Sequence, residues 1–430
     1  MITLRGFNSM NMFSHEEEES ILNLVHSCKK GHGLPRPFYH EELVYQADLE
    51  IIWRHGWLFA GHTCQIPEPG DYFLYDLDPD SIIIVRGDQG EINAFHNVCR
   101  HRGSIICAEP EGSVKRFICP YHQWTYGRDG RLLLWRGMQE SLDKSQLGLH
   151  PVHVHEVEGM IFISLADEPP DFGQADEILS STAHPQGFRH AKVAKIMDYE
   201  VQANWKLVWE NNRECFHCNV NHPQYIKANF DHYNADDTID RVARELELVT
   251  KRSKTKWTFT GLAVTREETG MTEFPDPDRN IWFAANRTPL VDGFLSESID
   301  GRLVAPLMGN YTDPEDVGTL RMRALPNFWN HSSCDHGVST RLTPAGLHKT
   351  RVRLIWLVDE NAVEGQDYSL EALTLFWWLT SDQDRVLCEN AQRGVNSRAY
   401  VPGPLSEYKE YNVERYLRWY QRQLTDYFEK

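Results

Sequence analysis

The chain has 430 residues, of which 41% are hydrophobic and 25% charged, so a wholly disordered chain is excluded and one large domain or two ordinary ones is expected. Acidic residues outnumber Lys plus Arg by 62 to 44, a formal charge of -18. That balance disfavours a general binder of nucleic-acid backbones and suits a small cationic partner or a basic electron-transfer protein. No long uninterrupted apolar span occurs, and the opening residues lack a basic stretch leading into a hydrophobic one. Neither a membrane helix nor a secretory signal is therefore expected. Nine cysteines scatter from Cys28 to Cys388, an odd set that argues against a disulfide scaffold and for a reducing, cytoplasmic location.

Ser14, followed by Glu16, Glu17 and Glu18, reads as a capped helix start, with a helix expected over 16–30 and broken by Gly31 to Pro37. Between Trp53 and Leu165 short apolar runs at 72–75, 81–86, 92–97, 114–119 and 160–164 alternate with Pro-Gly, Asp-Gln-Gly and Arg-Asp-Gly turns. This is the texture of an antiparallel β-domain. Segment 166–187, with its Asp-Glu-Pro-Pro-Asp run, reads as a connection at a domain boundary. Beyond it a helix is expected over 206–214 and strands over 281–285, 319–325 and 349–358. Val413, Tyr416, Leu417, Tyr420 and Leu424 recur near helical spacing and predict a terminal amphipathic helix over 413–427.

Two segments carry metal chemistry within the β-rich part. Asn97-Val-Cys99-Arg-His101-Arg-Gly103 is followed, after a gap of seventeen residues between His101 and Cys119, by Cys119-Pro-Tyr-His122-Gln-Trp124. Two thiolates and two imidazoles suit either structural zinc or a two-iron cluster with sulfur ligands on one iron and nitrogen ligands on the other. The surroundings, Cys-x-His-Arg-Gly and Cys-Pro-Tyr-His-x-Trp, resemble those of Rieske-type [2Fe-2S] proteins, specifically the large subunits of Rieske non-haem iron oxygenases. The resemblance implies that Cys99 and Cys119 ligate one iron and His101 and His122 the other. It also gives Gly103, Pro120 and Gly127 the task of letting backbone amides approach the sulfurs. Cys107 matches nothing in the pattern and reads as a small buried residue.

The second segment runs from Asn204 through Glu214-Cys-Phe-His217-Cys-Asn-Val-Asn-His222-Pro223. Two histidines five residues apart can converge at the end of a distorted helix. A distant acidic stretch containing Asp382, Asp384 and Glu389 can complete a site of two imidazoles and one carboxylate, which leaves coordination positions open for oxygen and substrate chemistry. The Glu-x-x-His-x4-His pattern resembles the catalytic motif of the same oxygenases. That likeness implies mononuclear Fe(II) on His217 and His222, with Asp384 as third ligand from its Asp-x-x-x-Cys-Glu context and Asp382 as the rival. Many relatives carry Asp three residues before the first histidine, where this chain has Glu214. The implied role is to hydrogen-bond His217 and reach His122 of a neighbouring subunit in a homotrimer. Cys215 and Cys218 are left as packing or supporting thiols beside the iron.

The resemblance implies an α+β fold with an N-terminal segment 1–50 packing on the catalytic domain, a Rieske domain 51–165 and a catalytic domain 166–430. The last is expected to be of helix-grip (START-like) type with an antiparallel sheet. It further implies an oxygenase that takes electrons from NAD(P)H through a flavin and iron-sulfur reductase. The segments around His122 and His217 look closer to glycine-betaine and proline-betaine (stachydrine) demethylases, with choline and carnitine oxygenases as wider relatives, than to aromatic-ring dioxygenases. The implied reaction hydroxylates an N-methyl group of a small quaternary ammonium substrate with O2 and releases formaldehyde. Such a substrate has no N–H to donate and needs aromatic faces, for which Trp209, Phe216, Trp257, Trp282, Phe283, Trp377 and Trp378 are candidates. Asn286 and Arg287 are candidates for a substrate carboxylate. A non-catalytic Rieske electron carrier would leave Glu214, His217 and His222 without a purpose.

Overall fold

In the computed structural model, which describes residues 12–139, 141–230, 239–262 and 282–429, the chain opens with helix α1 (His15–His26). Ser14 caps it in a reciprocal box: its backbone N–H donates to Glu17 Oε2 at 2.8 Å, and the Glu17 N–H donates to Ser14 Oγ at 3.3 Å. The helix stops short of Lys30 because the chain turns at Ser27, whose hydroxyl bonds back to the Leu24 carbonyl at 2.7 Å. Short helices α2 (Pro37–His40) and α3 (Glu42–Ala47) then lead into a π-helical turn, Asp48–Arg54.

The β-rich part holds ten strands: β1 (Leu58–His62), β2 (Asp71–Leu77), β3 (Asp80–Arg86), β4 (Ile92–His96), β5 (Glu111–Ser113), β6 (Phe117–Ile118), β7 (Thr125–Tyr126), β8 (Leu132–Leu134), β9 (His153–Val157) and β10 (Met160–Ser164). They form three antiparallel sheets, ordered β4-β3-β2-β5, β6-β7-β8 and β1-β10-β9. The strand expected over 114–119 shrinks to two residues, because the chain leaves the ladder at Cys119 to form a tight loop.

The second part opens with helix α4 (Gly173–Ala183), which lies inside the segment read as a connection. Ala175, Leu179 and Ala183 recur every four residues and are fully buried, so the segment packs under the sheet as an amphipathic helix. There follow β11 (Ala191–Val201), α5 (Trp205–Asn212), α6 (Cys218–Asn221), α7 (Pro223–Ala228), α8 (Ile239–Thr260), β12 (Phe283–Thr288), β13 (Thr319–Ala324), β14 (Phe328–Ser332), β15 (Gly337–Gly346), β16 (Lys349–Asp359), α9 (Leu370–Val395) and α10 (Tyr411–Phe428). The strand expected at 281–285 is β12; Ile281 lies outside the described residues.

Six strands make one antiparallel sheet in the order β11-β16-β15-β14-β13-β12. Successive side chains point to opposite faces. Leu320, Met322 and Ala324 of β13 enter the main core, and the alternate Thr319, Arg321 and Arg323 share the other face. Leu373, Phe376 and Trp377 of α9 pack with Val338, Leu354, Trp356 and Val358 of β15 and β16, which lays the long helix across the sheet. No helix among the described residues is long and apolar enough to cross a membrane.

Asp48 and Lys206 form a fully buried ion pair. Asp48 also accepts from Trp205 Nε1 at 3.0 Å and from Tyr420 Oη at 2.6 Å, and Tyr39 Oη donates to Glu210 Oε1 at 2.7 Å. The N-terminal arm and α10 thereby clamp α5, the helix that feeds the chain into Glu214 and His217. Replacing Asp48 with Ala strands a buried ammonium, and denaturant unfolding is expected to show a loss of roughly 3–5 kcal/mol. A loss below about 1 kcal/mol, the range of exposed pairs, contradicts this role.

Candidate functional site

The first cluster of donors sits on two loops at one tip of the β-rich part. Cys99, His101 and Gly103 lie just after β4, and Cys119 and His122 between β6 and β7. Gly103 adopts a φ of 72°, and its N–H closes the first loop onto the Cys99 carbonyl at 3.0 Å. In the second loop Gln123, with a φ of 61°, donates its N–H to the Cys119 carbonyl at 3.0 Å, while Cys119 N–H donates to Trp124 O at 2.8 Å. Both cysteines are buried and both histidines partly exposed. His101 Nδ1 and His122 Nδ1 stand 3.1 Å apart, and the His101 ring stacks on Trp124 with centroids 4.8 Å apart.

Two supporting residues escaped the motif reading. Tyr126 Oη accepts from Arg100 N–H at 3.1 Å, which leaves its proton for the Cys99 sulfur at 3.3 Å; the His101 backbone N–H also bonds that sulfur. Asn97 Oδ1 accepts from the N–H groups of Ile106 and Cys107 at 3.0 and 2.9 Å, clamping the segment after the first loop. Cys107 is buried with its thiol raised to about 11 by burial. Two buried cysteines, one of whose sulfurs receives N–H and O–H bonds, beside two converging and partly exposed imidazoles are a donor set that suits a [2Fe-2S] cluster.

The second cluster forms where the chain breaks between short helices. His217 caps the start of α6 and His222 its end, and Pro223 opens α7. A residue before proline is driven out of helical backbone, so His222 takes φ -126° and ψ 63°, which turns it back toward His217. Asp384 arrives from the middle of α9, 162 residues away in sequence. His217 Nε2 and His222 Nε2 are 3.1 Å apart, and Asp384 Oδ1 lies 2.9 Å from His222 Nε2 and 3.3 Å from His217 Nε2. Ligands about 2.1 Å from a metal at right angles to one another lie roughly 3.0 Å apart. The triangle therefore suits one face of an octahedral site.

Outer partners set the direction of both imidazoles. Glu214 Oε1 is 2.6 Å from His217 Nδ1, and Glu214 Oε2 accepts from the Phe216 N–H. His222 Nδ1 meets Gln383 Oε1 at 2.8 Å, a partner missed in the motif reading. Burial alone would raise the Asp384 carboxyl, but its bonds to His217 and His222 win and hold it at about 2. Burial likewise opposes charge on His217, yet Asp384 and Glu214 raise that imidazole to about 10. Two carboxylates around two imidazoles thus make a field that attracts a cation. Asp382 turns the other way, accepting from Arg385 Nε and Nη2 at 2.9 and 2.8 Å.

Cys215 and Cys218, expected as thiols, are joined in a disulfide with Cα atoms 5.0 Å apart. The loop around Phe216 folds back far enough to bring their sulfurs together, so neither sulfur is a free thiolate.

Of the aromatic candidates, Trp377 is linked to the triad through Tyr225. Its ring centroid is 4.3 Å from His331 and 5.8 Å from Tyr225, whose ring is 6.5 Å from His222. Tyr225 and His331 were not singled out from sequence. Trp209 packs on Trp329 and Tyr416, Trp282 and Phe283 pack on each other, and Trp378 packs on Tyr199. Trp257 donates to the Asp316 carbonyl, and Phe216 is exposed beside Lys409. Arg287 is engaged with Tyr311 Oη at 2.9 Å and Val317 O at 3.2 Å, whereas Asn286 pairs across the strands with Arg321. Arg321 and Arg323 are buried on the face shared with His331; Arg323 Nη2 donates to His331 Nε2 at 3.0 Å, and Arg321 Nη2 to Asn229 Oδ1 at 3.0 Å.

Comparison with known proteins follows this division. Residues 56–152 match the Rieske [2Fe-2S] domain, and residues 188–426 match the ring hydroxylating alpha subunit (catalytic domain). The chain is 42% identical over 404 residues to the glycine betaine monooxygenase oxygenase subunit of Chromohalobacter salexigens, covering 94% of this chain and 88% of the relative. It is 38% identical over 410 residues to the protein of that name from Pseudomonas aeruginosa, covering 94% and 92%. The crystal structure of the quaternary ammonium Rieske monooxygenase CntA with γ-butyrobetaine superposes with a TM-score of 0.66 at 19% identity, over 95% of this chain and 99% of that one, a likeness of fold. The chain belongs to the ring-hydroxylating alpha subunit family of Rieske non-haem iron oxygenases.

Proposed function

We propose that the protein is the oxygenase component of a monooxygenase that hydroxylates an N-methyl group of a small betaine, with glycine betaine or proline betaine ahead of choline and carnitine. The observation that carries this reading is the near full-length identity to glycine betaine monooxygenase oxygenase subunits. One oxygen atom of O2 enters the N-methyl C–H bond, the other leaves as water, and two electrons and two protons are consumed. The resulting N-hydroxymethyl group then loses formaldehyde and a proton, which leaves a tertiary amine.

In this reading Cys99 and Cys119 hold the sulfur-bound iron of the [2Fe-2S] cluster, His101 and His122 hold the other, and His217, His222 and Asp384 hold mononuclear Fe(II). When bound, the cluster passes single electrons and the ferrous ion activates O2. Glu214 accepts the His217 Nδ1–H and so aims Nε2 at the metal. Its place on the loop beside exposed Phe216 and Val220 supports a second task, contact with His122 of a neighbouring subunit in a homotrimer. Electrons come from NAD(P)H through a flavin and iron-sulfur reductase.

Trp377, Tyr225 and His331 pack into one aromatic cluster that reaches His222 through Tyr225, the residue types a methylammonium head needs. Arg321 and Arg323, deeper on the same face, suit the substrate carboxylate. The self-contained sheets support an N-terminal segment 1–50, a Rieske domain 51–165 and a catalytic domain 166–430. Helix α9 held across the six-stranded sheet supports a helix-grip (START-like) description of the last.

Replacing His217 or Asp384 with Ala is expected to remove the mononuclear iron and all turnover while the Rieske EPR signal persists, and Asp382→Ala is expected to keep both metals. Metal analysis paired with EPR checks the set, and iron lost from the Asp382 variant instead would reassign the third ligand. The substrate class is tested with a panel of betaines and aromatic hydrocarbons, with reductase supplied. Formaldehyde in step with NAD(P)H and O2 consumption is expected from a betaine. A cis-diol from an aromatic hydrocarbon, with no betaine turnover, would overturn the reading.

A further inference from the structure

The hydrogen bonds behind His222 specify a direction for every proton. Thr380 donates its hydroxyl proton to the Phe376 carbonyl at 3.0 Å, one turn back in α9, and its oxygen is left to accept. Gln224 Nε2, in α7, donates to that oxygen at 3.0 Å and to Gln383 Oε1 at 2.9 Å. The Gln383 carbonyl oxygen then faces His222 Nδ1 at 2.8 Å. Because a carbonyl oxygen only accepts, Nδ1 must carry the proton, and the lone pair of Nε2 points at the gap shared with His217 and Asp384.

This arrangement differs in charge from the one behind His217. There the partner is the Glu214 carboxylate, at 2.6 Å; behind His222 it is a neutral amide. Gln383 also precedes Asp384 directly on α9, so one turn of helix supplies a carboxylate to the triangle and the acceptor that orients an opposing imidazole. His222 is almost fully buried, as is Thr380, and water has little access to replace these bonds.

We propose that Gln383 is a positioning residue of the mononuclear site, holding His222 as an Nε2 donor, and that Gln224 and Thr380 aim its carbonyl. The inference rests on the reading of His222 as a metal ligand. Removing the acceptor while keeping the side-chain bulk frees the ring to rotate or change tautomer, and metal affinity falls. Retaining an acceptor keeps the ring in place. Thr380 acts at one remove, so its loss has a smaller effect in the same direction.

The test uses the full-length protein with its cluster assembled and its mononuclear metal removed, titrated anaerobically with Co(II) and followed by the visible absorption of the bound ion. Gln383→Leu is expected to weaken Co(II) binding about 10–100-fold, and Gln383→Glu to stay within a few-fold of wild type. Thr380→Val is expected to weaken it less than Gln383→Leu, and Thr380→Ser to leave it unchanged. This second pair decides the matter if Gln383→Leu loses its cluster absorbance and is misfolded. Wild-type affinity in Gln383→Leu, equal weakening in the Leu and Glu variants, or equal behaviour of Thr380→Val and Thr380→Ser would overturn the proposal. His222→Ala separates the two levels: if it binds Co(II) as tightly as wild type, the ligand reading itself fails. If it binds weakly while Gln383→Leu binds tightly, only the positioning role fails.

Discussion

Asp384 Oδ1 must lie within about one ligand spacing of two imidazole nitrogens that belong to a different part of the chain, at 2.9 and 3.3 Å. Most of the catalytic half can be understood as what satisfies that constraint. Helix α9 is long enough to cross the sheet and still present Asp384 at its middle, and its Leu373, Phe376 and Trp377 lock it against β15 and β16. The histidines come from a segment that cannot be regular, since Pro223 ends one helical turn and begins another at His222. Two rigid bodies therefore meet at three atoms, and an error of an ångström in either would open the triangle.

The clamp on α5 serves the same end at a distance. Asp48, Lys206, Trp205 and Tyr420 form one buried network, with Tyr39 and Glu210 adjoining it, and it joins the first fifty residues to the last twenty through the helix that precedes Glu214. Burying an ion pair contributes little net stability, and losing one partner costs much more. Its value here is positional: a fully satisfied polar cluster admits one arrangement of three elements, where an apolar contact would tolerate sliding. In the β-rich part, the buried Cys99 sulfur takes bonds from Tyr126 and a backbone N–H, while the imidazoles of His101 and His122 are partly exposed.

Most of the ligand residues named from sequence owed their visibility to short covalent spacing, whereas Asp384, 162 residues from His222, was legible only through the resemblance of its own Asp-x-x-x-Cys-Glu surroundings. Cys99 with His101, Cys119 with His122, and Glu214 with His217 and His222 each fall within one loop, and the structure places each group together. What escaped was whatever depended on register or on distant chain. Gln383 is an ordinary helical residue until α9 is laid against His222, 161 positions earlier. Arg287 and Arg321 look alike in sequence, yet strand alternation and pairing send the first to Tyr311 and the second toward the triad's face. Helix α4 was hidden by the Pro-Pro run before it, since turn residues at 169–170 outweighed the four-residue recurrence of Ala175, Leu179 and Ala183. The disulfide between Cys215 and Cys218 was masked by the odd cysteine count, which bears on a chain-wide scaffold and says nothing about a single local pair.

In the proposed reading one chain holds a cluster on Cys99, His101, Cys119 and His122 and a separate iron on His217, His222 and Asp384. Anomalous diffraction at the iron edge, from crystals of the iron-loaded protein, tests it most directly. A two-iron peak is expected between the first four side chains, and a single peak bonded to His217 Nε2, His222 Nε2 and Asp384. A second peak bonded to Asp382, or no iron between His217 and His222 in protein that turns over substrate, would contradict it.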